Sequence, residues 1–268
     1  MKSSLKIAST LLLLAYSFLI SAQKPVLLKG IKGSAFIVGD ISPNQAKQQA
    51  MNEAKTQALK DAGIVEHINS YQMLFSSYNK NDYSQFFSSD IQSEIQGAVQ
   101  SYTVTSEKTY FNTDKQIVCD VVMDIEVIKY DTKPDPAFTV NTEGIKAVYN
   151  NGDNLKFSVK TSIDCYLHVF NITDSEVSQF FPNNYEKKYH LEKQKEYSFP
   201  MAEIDYSLGN DKKKTETNRL IFVFTKTDIP YMKMNKERIT SNENVFSWIY
   251  SIPPDQRKVE YYVLTIQN

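Results

Sequence analysis

The sequence predicts an α+β amino-terminal part, a sheet covered by an Ala-rich helix. A mainly-β, sandwich-like part with one short helix follows it. Three observations predict this. Ala46, Ala50, Ala54, Ala58 and Ala62 recur at four-residue steps, which places them on one slowly drifting helix face. Residues 116–128 alternate, with Ile117, Cys119, Val121, Met123, Ile125 and Val127 on one side and Asp120, Asp124 and Glu126 on the other. That period belongs to a half-buried antiparallel strand. Beyond Pro134 and Pro136, short apolar runs separated by turn residues read as consecutive strands.

Residues 1–22 read as a signal peptide: Lys2 and Lys6 precede a mostly apolar run from Ile7 to Ile20, and cleavage is expected between Ala22 and Gln23. The run is shorter than the roughly 20 residues that cross a bilayer. Cleavage removes two lysines and no acid, and no later segment is apolar enough to span a membrane. The chain is then expected to be exported, periplasmic or secreted. Residues 23–130 form the first part, 131–138 a Pro-containing linker, and 139–268 the second part.

In the first part, residues 27–38 read as a strand ended by Gly39-Asp40. Ser42 is a helix N-cap, with Pro43 at the first helical position and Gln45 three residues on. The helix runs to about Ala62, where Gly63 stops it. An alanine face lets a helix lie close to a sheet; Lys47, Gln48, Asn52, Lys55 and Gln57 are expected on the wet side. Residues 64–78 fit a helix or a strand equally, and 76–89 a loop or short helical insert. Strands over 94–111 and 116–128 close this part through the turn Asn112-Thr113-Asp114-Lys115.

In the second part, residues 139–149 read as a strand, Asn150-Asn151-Gly152-Asp153 as a hairpin turn and 155–160 as the returning strand. Residues 165–172 place Cys165, Leu167 and Val169 on one face and Tyr166, His168 and Phe170 on the other. A strand at 176–181 leads into Pro182-Asn183-Asn184, and 219–225 reads as a central strand. Thr240 or Ser241 caps a short helix through Ser251, packing through Val245, Trp248, Ile249 and Ile252. Pro253-Pro254 ends it, and 259–266 is the final strand.

The run SAFIVGDISPNQAKQQAMNEAKTQALKDAG, within the segment from Gly33 through Ile128, is similar to the amino-terminal domain of flagellar assembly protein T. That domain also resembles a family of small envelope lipoproteins, whose lipid-attachment cysteine is missing here. The second part resembles a domain of unknown function, family 4384. The residues that carry this are Tyr149-Asn150-Asn151-Gly152-Asp153 with Leu155, Asp164 to Phe170, Phe180-Phe181-Pro182-Asn183 and Tyr197-Ser198-Phe199-Pro200. The resemblance implies an envelope or secreted, β-rich accessory module. It transfers no catalytic site.

Composition excludes several classes. With 268 residues, 41% hydrophobic, 8 Gly and 9 Pro, the chain is not collagen-like, low-complexity or mainly disordered. Lys and Arg total 30 against 31 acids, so no basic surplus points to nucleic acid. Two cysteines cannot make a disulfide scaffold or a four-thiolate zinc site; Cys119 and Cys165 read as two buried thiols in different parts. His67, His168 and His190 lack metal-site spacing and read as structural or surface residues. Asp120, Asp124 and Glu126 suit acid–base work or calcium, but period two on an exposed strand face reads as solvation. Lys212-Lys213-Lys214 reads as a solvated loop. No phosphate loop, nucleophile elbow or dinucleotide fingerprint occurs.

The one surplus is aromatic, 17 Tyr, 15 Phe and 1 Trp. Tyr71, Phe75, Tyr78, Tyr83, Phe86 and Phe87 cluster around the polar insert, as a partner-facing patch or as cover for a second core edge. Tyr78, Tyr83 and Phe86 are candidate binding residues, together with Phe181 and Asn183, whose plainer reading is a structural turn. The expectation is an exported, non-enzymatic envelope accessory that binds an envelope protein or glycan through sheet edges and aromatic surface, without a cofactor. The alternatives are a secreted adhesin or carbohydrate binder, and a hydrolase of unfamiliar type using the surface carboxylates.

Overall fold

The computed structural model describes residues 25–64, 97–173, 176–209, 214–231 and 242–268. The expected cleavage site at Ala22–Gln23, the aromatic insert with Tyr78, Tyr83 and Phe86, His67, Lys212, Lys213 and the cap at Thr240 or Ser241 lie outside them. The chain is mainly β. Among the described residues no helix is long and apolar enough to cross a membrane.

Strand β1 (Val26–Ile37) leads to helix α1 (Pro43–Asp61) and then to β2 (Gly97–Phe111) and β3 (Ile117–Lys129). The sheet has the order β1-β3-β2, antiparallel throughout. The helix starts on a reciprocal capping box: Gln45 donates its backbone N–H to Ser42 Oγ (3.3 Å), and Ser42 N–H donates to Gln45 Oε1 (2.8 Å). Ala46, Ala50, Ala54 and Ala58 are fully buried. The seam is tight enough that a Cβ built on Gly33 lies 1.9 Å from the Ala50 carbonyl oxygen. Glycine is required on the strand where alanine is required on the helix.

One expected wet residue is not wet. Lys55 is 1% exposed, and its ammonium sits 4.3 Å from the ring centroid of Tyr102 on β2. Met51, Lys55 and Leu59 form a second four-step row beside the alanines, and all three are buried. The helix therefore buries a wider arc than its alanines alone indicate, and the aliphatic stem of Lys55 belongs to that arc.

The rest of the chain builds a sandwich. Strands β4 (Val140–Glu143), β5 (Val148–Asn150), β6 (Asn154–Leu155), β7 (Phe157–Thr161), β8 (Cys165–Ile172), β9 (Val177–Phe181), β10 (His190–Leu191), β11 (Glu196–Phe199), β12 (Tyr206–Ser207) and β13 (Thr215–Thr225) precede helix α2 (Asn242–Tyr250) and strand β14 (Arg257–Gln267). The main sheet runs β10-β8-β13-β14-β5, with β9 also on β8; a second sheet runs β11-β7-β4. As expected, β13 is central, and Leu220 to Thr225 are all fully buried.

Two expectations about this part change. The strand expected over 139–149 is two strands in different sheets, broken at Gly144, whose φ is +92°. The turn at 150–153 forms, with Asp153 N–H donating to the Asn150 carbonyl (3.0 Å), but it closes no hairpin. Strand β5 pairs parallel with β14, and β6 pairs with β12. Asn-Gly chemistry sets the dihedrals of the turn; the partners of the flanking strands are set by which sheet buries Tyr149 and Leu155.

Alternation in β8 and β13 divides the core. Cys165, Leu167, Val169, Leu220, Phe222 and Phe224 face the second sheet, where Phe157 stacks on Phe199 at 4.8 Å. Phe170, Ile172, Ile221 and Val223 face helix α2, and this cluster continues into the alanine seam and the β3 core residues Cys119 to Ile128. Tyr130 donates to the Ser251 carbonyl just past α2, and Lys226 pairs with Asp135 of the linker at 2.6 Å. Buried residues from both sides of the Pro-containing linker thus share one cluster. Cys119 and Cys165 are both free and buried, as the sequence suggests.

Candidate functional site

The edge of the main sheet beside β8 opens into a cleft of about 620 Å³. Its sheet wall comes from His168 on β8 and from Val177, Ser178 and Gln179 on β9. The loop between β9 and β10 supplies a second wall through Pro182, Asn183, Asn184, Lys187 and Tyr189, and Pro230 and Tyr231 close the third side.

His168 is 2% exposed. Its ring lies 4.9 Å from Trp248 and 5.1 Å from Tyr189 between centroids. Burial pushes its pKa down to about 4, although Asp228 pulls the other way, so the imidazole is uncharged near neutral pH. Gln179 Nε2 lies 3.4 Å from His168 Nδ1 and 3.5 Å from the Phe181 carbonyl oxygen. A carbonyl needs a donor, so the amide nitrogen is on that side and Nδ1 accepts. The imidazole proton is then on Nε2, which has no protein partner among the described residues. Tyr189 donates to Asp228; burial and this hydrogen bond push its phenol up to about 12.

The loop wall is held from behind by Glu186. Its carboxylate is buried and accepts from Asn183 Nδ2 (2.8 Å), Met201 N–H (2.5 Å), Ala202 N–H (3.2 Å) and the Tyr206 hydroxyl. Both adjoining X-Pro bonds, Phe181–Pro182 and Phe199–Pro200, are cis. Of the two sequence candidates here, Asn183 lines the cleft but its amide is engaged by Phe180 O and Glu186. Phe181 is fully buried, edge-on to Phe199 at 4.9 Å, so its ring belongs to the sandwich core and is out of reach of a ligand.

The surface carboxylates take separate partners. Asp120 accepts from Ser34 Oγ (2.6 Å) and Tyr110 OH (2.9 Å), Asp124 from Gly30 N–H (2.9 Å), and Glu126 from Ser101 Oγ (2.7 Å). A second cavity of about 520 Å³ lies beside Asp120, and there Ser34 donates its backbone N–H to Glu53 while the Ser34 and Tyr110 hydroxyls both donate to Asp120. Among the described residues no group of three or more His, Cys, Asp or Glu lies close enough together to hold a metal ion.

Sequence reasoning did not single out Gln179, Lys187, Tyr189 or Tyr231. The usable signal was His168, placed by alternation opposite Cys165, Leu167 and Val169 on a face that is also covered. A family model described as a domain of unknown function (DUF4384) matches residues 148–228, which include every cleft residue except Pro230 and Tyr231. No curated protein matches the chain.

Proposed function

We propose that this is an exported, non-enzymatic accessory protein of the cell envelope, periplasmic or secreted after cleavage at Ala22, and that the cleft at the β8–β9 edge is its binding site. The observation that carries the reading is the cleft wall itself: a buried, uncharged imidazole set among amides and aromatic rings. Such a wall suits recognition more than proton transfer at neutral pH. The separate hydrogen-bond partners of Asp120, Asp124 and Glu126 favour it over a hydrolase built on those carboxylates. We also propose that residues 23–130 are an α+β unit of the flagellar assembly protein T amino-terminal type. Its support is the order strand, Ser-capped alanine helix and two closing strands.

A photo-cross-linking amino acid at Asn184, on the cleft rim, tests the binding role in intact cells. The expected result is a discrete adduct in the envelope fraction that a cross-linker at exposed Lys160 does not give. An adduct-free protein, or one recovered uncleaved in the cytoplasm, overturns the reading. Carbohydrate is a second reading for the occupant, favoured by Tyr189 and Tyr231 beside Gln179 and Asn184.

A further inference from the structure

Three consecutive residues of β9 line the cleft. Successive side chains of a strand point to opposite faces, so a cavity touching all three runs along the strand's edge. Among the described residues no strand pairs with that outer edge. The direction of its backbone groups follows from the register. Thr173 N–H donates to the Glu176 carbonyl (2.9 Å), making these residues a hydrogen-bonded pair. Bonded and non-bonded pairs alternate in an antiparallel ladder. Ile172↔Val177 is therefore non-bonded, Asn171↔Ser178 bonded, and Phe170↔Gln179 non-bonded. Ser178 turns its N–H and carbonyl to β8, while Val177 and Gln179 turn theirs outward, into the cleft.

Charge narrows the occupant. Among the described residues that line the cleft, Lys187 is the one charged residue, and it is exposed. We propose that the cleft takes an extended peptide segment bearing a carboxylate, which adds to the outer edge of β9 as a further strand. Its backbone pairs with the outward groups of Val177 and Gln179. Its carboxylate meets the Lys187 ammonium. Pro182, Pro230 and Tyr231 offer apolar surface to its side chains. The inference rests on the cleft being the binding site and names what enters it.

The test uses the purified protein against a random heptapeptide library displayed on phage, and in parallel against a glycan array. Selected peptides are then titrated by fluorescence anisotropy. The expected result is enrichment of peptides containing Asp or Glu, with affinity reduced about tenfold or more by Lys187→Glu, since a charge-assisted contact becomes a repulsion. Val177→Pro removes an outward N–H, which edge strands tolerate, together with a valine side chain that packs partly on the core, and is expected to weaken binding similarly. N-methylating alternate backbone nitrogens of the peptide does the same. Circular dichroism confirms that each variant folds, and Lys187→Glu, at an exposed position, carries the test if Val177→Pro does not fold.

If the array yields a glycan whose binding falls in Lys187→Glu while no peptide is enriched, the peptide is overturned and the cleft stands as the site. If neither probe binds, or if binding ignores both substitutions, the peptide and the site fall together.

Discussion

Four donors converge on Glu186, from its own loop, from the segment between β11 and β12 and from Tyr206 of β12. Burial works against the charged carboxylate, but the bonds from Tyr206, Asn183 and the Met201 and Ala202 amides outweigh it and hold the pKa below the usual range. Glu186→Gln turns an amide N–H donor toward donors and is expected to cost about 2–3 kcal/mol in urea denaturation at pH 7. Because the folded pKa is depressed, the contribution of this carboxylate is full above its ordinary pKa and is lost as pH falls through the folded value. The Gln variant should lack that acidic limb. His168 acts over a higher window. Its pKa falls from 6.5 to about 4 on folding, so the unfolded chain binds the proton first and stability declines as pH drops from about 6.5 toward about 4. The slope approaches about 1.4 kcal/mol per pH unit. His168→Phe should flatten it; an unchanged slope would place the titration elsewhere.

At the scale of elements, α1 is bounded and seated by a few identifiable groups. Ser42→Ala removes the side-chain half of the capping box and should cost about 1 kcal/mol. Gly33→Ala forces β1 and α1 apart, because the new methyl group would overlap the Ala50 carbonyl. A loss of about 2–3 kcal/mol is expected by chemical denaturation, as for other overpacked cores; a neutral result would mean that the seam yields freely. Much of this element was legible beforehand. The cap, the alanine ladder and the alternation of β3 are all local patterns, and each came out where it was read. Lys55 was misread because its burial depends on Tyr102, 47 positions along the chain by number. The turn at Asn150-Asn151-Gly152-Asp153 was read correctly as a turn and wrongly as a hairpin, since strand partners are a long-range choice. The cleft was the least legible feature. Its walls come from β8–β9, a loop and residues 230–231, and no local period joins them.

The molecule as a whole has its single tryptophan where the parts meet. Trp248 packs on His168, Phe170 and Tyr231, within a cluster that also takes in α1 and β3. Fluorescence of Trp248 and far-ultraviolet circular dichroism should therefore report one coincident unfolding transition. Separated midpoints would show that the two parts melt on their own. The two thiols sharpen the question, since Cys119 is 1% exposed in the cluster under α1 and Cys165 is fully buried inside the sandwich. Burial pushes the Cys165 thiol up to about 11, and a thiol attacks only as thiolate. Each sulfur is thus a clock for its own layer: a maleimide added to the native protein can tag it only in the moments when that layer parts. Equal tagging rates at the two sites would mean that the layers open together, and a chain so built can live among oxidants with its sulfurs locked away.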